Sequence, residues 1–209
     1  MKFKVCGLFD NQNIQQVAEL NPDYIGHIFW EKSVRYVKGK TPKISPEIKK
    51  TGVFYNSNIE FVFNKISQHD LACVQLHGDE SHEFCKNILD SGIQVIKSFR
   101  IDDDFDFDVL KNYENSCDMF LFDSKSELPG GTGKSFNWEN LKKYKLKKEF
   151  FISGGIGLHS INSLIDLFKI GLPIYGIDVN SKFEDNRYLK KIGELKTFIE
   201  IIKDEIYCR

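Results

Sequence analysis

Short runs of β-branched and aromatic residues return along the chain at 3–6, 24–29, 52–55, 73–76, 95–99, 119–123, 150–153 and 174–178. Their spacing, about 20 to 30 residues, suits a strand, a helix and two loops per unit. Between most of them the apolar positions shift to a helical period: Ile14, Val17 and Ala18; Ile59, Val62, Phe63 and Ile66; Phe84, Ile88 and Leu89; Ile161, Leu164, Ile165 and Phe168. Ser81 and Ser160 stand where an N-cap hydroxyl would serve two of these helices. Eight alternating units predict an α/β protein closed into a (β/α)₈ barrel, the TIM-barrel arrangement, as one domain over residues 1–209. An open doubly wound sheet uses the same alternation and is the alternative. The second unit is the irregular one: the stretch between Arg35 and Gly52 is short and carries Pro42 and Pro46, so the helix after strand 2 is expected to be short or missing. The Lys-rich run 142–148 reads as solvated surface, and 102–108 as an acidic loop leading into a helix.

Charge adds mainly exclusions. Twenty-nine Lys and Arg nearly cancel 30 Asp and Glu, leaving a net charge of -1 and no global field for nucleic acid or an anionic membrane. The apolar runs are strand-sized, far short of the roughly 18 residues of a membrane span, and no export signal is visible, so a cytoplasmic location is expected. Five cysteines, Cys6, Cys73, Cys85, Cys117 and Cys208, are odd in number and irregularly spaced, which argues for buried thiols rather than a disulfide framework or a metal site.

In a barrel of this kind the chemistry gathers where strands end. Period-two alternation puts Lys4 and Cys6 on one face of the first strand, Gln75 and His77 on one face of the fourth, and Met119, Leu121 and Asp123 on one face of the sixth. If those faces point inward, a thiol and a carboxylate overlook the same mouth. Asp123 ends an apolar strand, where an isolated carboxylate is costly unless it is used or paired; its ordinary role would be capping a loop or pairing with Lys125. Cys6 alone reads as a common buried thiol. Lys4 could favour its thiolate if the two touch. Two glycine-rich stretches, 129–135 after strand 6 and 153–157 after strand 7, could present backbone N–H groups to a phosphate, or be plain tight turns. The Gly133-Lys134-Ser135 end of the first is not a Walker A loop, because Leu128 stands where its leading glycine belongs.

The combined blocks resemble phosphoribosylanthranilate isomerase of tryptophan biosynthesis. They are Lys4-Val5-Cys6-Gly7-Leu8, Ser33-Val34-Arg35-Tyr36, Val74-Gln75-Leu76-His77-Gly78-Asp79-Glu80, Phe122-Asp123-Ser124, Gly130-Gly131-Thr132-Gly133-Lys134, Ser153-Gly154-Gly155-Ile156 and Gly176-Ile177-Asp178-Val179-Asn180-Ser181. The resemblance implies an Amadori rearrangement of N-(5-phosphoribosyl)anthranilate to a 1-deoxyribulose 5-phosphate derivative, with no cofactor and no metal. Asp123 would act as general acid and Cys6 as general base. Arg35 would bind the anthranilate carboxylate, with His77 and Asp178 beside the substrate, and Gly131, Gly154, Gly155, Asn180 and Ser181 would hold the phosphate. The partner expected is a small phosphoribosyl substrate, with no nucleic acid or membrane, for a monomer or homodimer. The family's pattern is broken at Val34 and after strand 8, where residues 180–184 and 187–191 differ and Lys182 brings an extra charge near the phosphate. A related sugar-phosphate isomerase and a non-catalytic phosphate-binding barrel are the other readings.

Overall fold

Eight parallel strands follow one another around a closed barrel: β1 (Lys2–Val5), β2 (Tyr24–Ile28), β3 (Lys49–Phe54), β4 (Cys73–Leu76), β5 (Gln94–Ile101), β6 (Met119–Ser124), β7 (Phe150–Ile152) and β8 (Ile174–Val179). The computed structural model describes residues 1–124 and 138–207. The seam decides against an open sheet, because β1 pairs with β8 through Phe3↔Ile177 and Lys4↔Asp178. Alternation then divides the strand residues between two cores. One set, including Val5, Val74, Phe120, Ile152 and Ile177, packs outward under the helices. The other, Tyr24, Cys73, Ile96, Met119, Leu121 and Phe151, fills the barrel itself, with the Tyr24 hydroxyl 3.1 Å from that of Tyr175.

Among the described residues five α-helices cover the outside: α1 (Asn11–Ala18), α2 (Ile59–His69), α3 (His82–Leu89), α4 (Ile161–Phe168) and α5 (Ile192–Tyr207). Asp10 accepts the Asn13 N–H at the start of α1, Asn58 that of Phe61 at α2, and Ser81 that of Phe84 at α3. Ser160 does not cap α4 with its side chain; its hydroxyl turns back to accept the Gly157 N–H at 3.2 Å, bracing the turn after β7 instead. No helix lies between β2 and β3, as the two prolines predict. The links after β5 and before β7 hold 3-10 turns, Phe107–Tyr113 and Trp138–Lys143, the first standing where the acidic loop was expected to lead into a helix. In the first, Asp106 caps the Asp108 N–H and only Leu110 is fully buried, too narrow an apolar face to sustain an α-helix. Cys6, Cys73, Cys85 and Cys117 are buried free thiols; Cys208 lies outside the described residues.

Candidate active site

Cys6 directly follows β1, at the mouth, with its sulfur packed over Gly26 of β2: a Cβ on Gly26 would sit 2.7 Å from it. Burial pushes the thiol above its ordinary range, since a thiolate loses hydration there. The Lys4 ammonium pulls the other way, by its charge and by hydrogen bonding to the sulfur, and Lys190 adds a second attraction. Lys4 is wholly buried and paired with Asp178 Oδ2 at 2.9 Å. Asp178 Oδ1, also buried, has no partner among the described residues, and burial raises this carboxyl while Lys4 opposes the rise. Asp178 adds a like charge to the surroundings of Cys6, and its own carboxyl feels Asp123 and His77.

Asp123 lies near the end of β6, a quarter exposed, with its Oδ2 3.5 Å from His77 Nε2. Gln75 Nε2 donates to His77 Nδ1 at 3.1 Å and also lies 3.1 Å from Ser98 Oγ. A ring nitrogen that accepts there leaves the proton of a neutral ring on Nε2, on the side of Asp123 Oδ2. The loop holding His77 is itself anchored: Glu80 accepts the N–H groups of Asn56 and Gly78 and pairs with buried Lys97 at 3.1 Å. Beside His77 opens a cavity of about 330 Å³ whose walls include Tyr55, Ser98, Phe99, Arg100 and Tyr113.

Arg35, in the loop after β2, donates to Glu184 from Nε at 2.8 Å and from a terminal nitrogen at 2.5 Å, and its guanidinium lies 5.1 Å from the Tyr188 ring centre. Lys190 reaches the same carboxylate, and donates to Asn180 Oδ1 at 2.7 Å. Gly7, at φ +79°, makes room for this cluster: a Cβ there would lie 2.5 Å from Asn180 Oδ1 and 2.7 Å from Arg35 Cδ. Gly154 and Gly155 turn the chain after β7 at φ 93° and 66°. Among the described residues nothing lies within 4 Å of where a Gly155 Cβ would be, so it is the backbone conformation that calls for glycine. Ser181 opens a 3-10 turn after β8, the strand paired with β7, which places the two loops side by side. Gly131 lies outside the described residues.

Thus Cys6, Lys4 and Asp178 come together, as do His77 and Asp123, while Arg35 is joined by Glu184 and Lys190, which the sequence placed in the two stretches after strand 8 without assigning them a role. Among the described residues no three His, Cys, Asp or Glu side chains are grouped to hold a metal ion, and no helix is long and apolar enough to cross a membrane.

Residues 3–201 match the family described as N-(5'-phosphoribosyl)anthranilate (PRA) isomerase. The chain belongs to the phosphoribosylanthranilate isomerase family. A family member from Parabacteroides distasonis is 40% identical over 97% of this chain and 93% of its own. The crystal structure of phosphoribosyl anthranilate isomerase from Thermotoga maritima superposes with a TM-score of 0.82 at 28% identity, covering 97% of this chain and 98% of that one. A phosphoribosyl anthranilate isomerase in complex with reduced 1-(o-carboxyphenylamino)-1-deoxyribulose 5-phosphate superposes with a TM-score of 0.79 at 26% identity, covering 97% and 98%.

Proposed function

We propose that Cys6 and Asp123 carry out the phosphoribosylanthranilate isomerase reaction of tryptophan biosynthesis as general base and general acid. The observation that carries this reading is that Cys6 directly follows β1 and Asp123 lies near the end of β6, so both groups stand at the carboxyl ends of barrel strands. Asp123 gives a proton to the ribose ring oxygen as the C1–O bond breaks, and the anthranilate nitrogen supplies the electron pair of the resulting Schiff base. Cys6, as thiolate, then takes the proton from C2. The C–H electrons form the C1–C2 double bond and neutralise the nitrogen, and the enolamine tautomerises to the ketone. One proton is given and one taken, so no external oxidant or reductant enters. Burial raises the Cys6 thiol, and Lys4 and Lys190 are the charges that ease its ionisation.

The remaining contacts sort by end of the substrate. Gly154, Gly155 and Ser181, with Gly131 and Asn180, serve the phosphate, the backbone N–H groups of the glycine turns being able to approach it closely. Arg35 takes the anthranilate carboxylate with the N–H groups that Glu184 leaves free. The cavity beside His77 is of a size that suits a small ligand. The chain acts on this small molecule in the cytoplasm, as a monomer or homodimer, and as one domain. The deciding experiment follows turnover of fluorescent phosphoribosylanthranilate. Cys6→Ala and Asp123→Asn should each lower kcat by at least roughly 10²; near-wild-type turnover in either removes that residue from the mechanism.

A further inference from the structure

Glu184 is nearly buried, at 4% side-chain exposure, and holds two cations, Arg35 and Lys190. Arg35 comes from the loop after β2 and grips it through Nε and a terminal nitrogen. Lys190 comes from the opposite arm of the hairpin in which Glu184 and Lys190 form an antiparallel bridge. The arm is pinned: the Lys190 N–H donates to Asn13 Oδ1 at 2.8 Å, and Asn13 Nδ2 donates to the Lys190 carbonyl at 3.0 Å, fastening the backbone to α1. The Lys190 ammonium is then fixed by Glu184 and by Asn180 Oδ1, the atom that a Cβ on Gly7 would strike. Gly7 follows Cys6 in the chain. One buried carboxylate therefore joins Arg35 to an ammonium whose other acceptor, Asn180 Oδ1, packs against the residue that follows Cys6.

We propose that Glu184 is a positioning residue for the isomerisation, aiming Arg35 at the substrate carboxylate while holding Lys190 where its charge acts on Cys6. The assignment rests on the isomerase reading above. The charged groups around Cys6 are Lys4 and Asp178 inside the barrel, Lys190 on the hairpin after β8, and Arg35 from the loop after β2. Of these, Lys4 is occupied by Asp178, so Lys190 is the cation whose own counter-ion also serves substrate binding. A purely structural cluster would be indifferent to which cation was lost. A positioning cluster would not: losing Glu184 should disorder Arg35, and losing Lys190 should leave the thiolate with less support.

Two readouts separate these outcomes. Glu184→Gln should raise KM about tenfold, because the neutral amide cannot hold both cations, with a smaller effect on kcat. Lys190→Gln should leave KM within about twofold, and should move Cys6 ionisation, followed by the pH dependence of iodoacetamide alkylation of the intact protein, upward by about one pH unit. Lys190→Arg keeps the charge and should restore the wild-type profile, which guards against a misfolded glutamine variant. The proposal is overturned if Glu184→Gln leaves KM unchanged, or if folded Lys190→Gln alkylates with the wild-type pH profile. Alkylation needs no turnover, so a wild-type protein without isomerase activity would refute the functional reading while leaving the Lys190 effect on Cys6 measurable.

Discussion

Lys4 and Asp178 face each other across the β1–β8 seam at 2.9 Å, both buried, and with them the barrel carries an ion pair next to the Cys6 thiol. Such a pair is weak evidence for stability, since a hydrophobic replacement of both partners is often neutral, but removing one partner strands the other charge. Lys4→Met should therefore cost about 3–5 kcal/mol in urea unfolding. The double variant Lys4→Met with Asp178→Asn should recover much of that loss. Equal stability of single and double variants would show that Asp178 is not held as a charged partner.

His27 supplies a pH dependence of stability that is independent of catalysis. Its ring is completely buried, Nδ1 lies 2.8 Å from the Leu8 carbonyl oxygen, and Nε2 has no partner among the described residues. Burial lowers its pKa from 6.5 to about 4. Between those values the unfolded chain binds the proton and the folded one does not, so stability rises with pH across that window and falls on acidification. The expected loss from pH 8 to pH 5 is about 2 kcal/mol from this residue, and buried His69, whose pKa burial also lowers, acts in the same direction. His27→Asn, whose amide can still donate to the Leu8 carbonyl, should flatten the slope measured by urea titrations at the two pH values.

Two glycines near Cys6 should fail differently. An alanine at Gly26 meets Cys6 Sγ at 2.7 Å and Cys6 Cα at 3.1 Å, and backbone cannot yield cheaply, so the sulfur is displaced. Misplacing a base by about 1 Å can cost about 10² in rate, so Gly26→Ala should act chiefly on kcat. At Gly7 the φ of +79° strains any L side chain, by about 1–2 kcal/mol, and the added methyl strikes Asn180 and Arg35. Gly7→Ala should thus lose stability and raise KM. Steady-state kinetics on both variants checks the contrast, and a shared pattern would count against it.

The alternation of short apolar runs was enough to read eight strands, because each run is local and its period is strong, but closure into a barrel needed the β1–β8 pairing, since an open sheet has the same alternation. The missing helix before β3 was equally legible in Pro42 and Pro46. Arg35 bound to Glu184 was not, since 149 residues separate the partners and no local period links them. Glu80 was visible only as part of a family block; its work of accepting loop N–H groups and pairing Lys97 needs the fold to be seen. Ser160 looked like a cap because hydroxyl and helix start coincide, yet a glycine N–H three residues earlier competes for the same oxygen. For Cys6 the sequence supplied the position and the resemblance supplied the role, while the opposed effects of burial and Lys4 emerge only in three dimensions.

His77 tests how Asp123 is aimed. Its Nε2 stands 3.5 Å from Asp123 Oδ2, its Nδ1 is held by Gln75, and Glu80 fixes the loop just beyond it. If the ring orients the carboxyl toward the ribose oxygen, removing it should slow proton delivery while leaving the binding contacts of Arg35 and the glycine turns intact. His77→Ala should then lower kcat by about tenfold, less than Asp123→Asn, and change KM little. The double variant with Asp123→Asn should be no slower than Asp123→Asn alone, since residues acting as a unit are not additive. Rates that multiply in the double variant would mean that His77 touches the substrate by a route of its own.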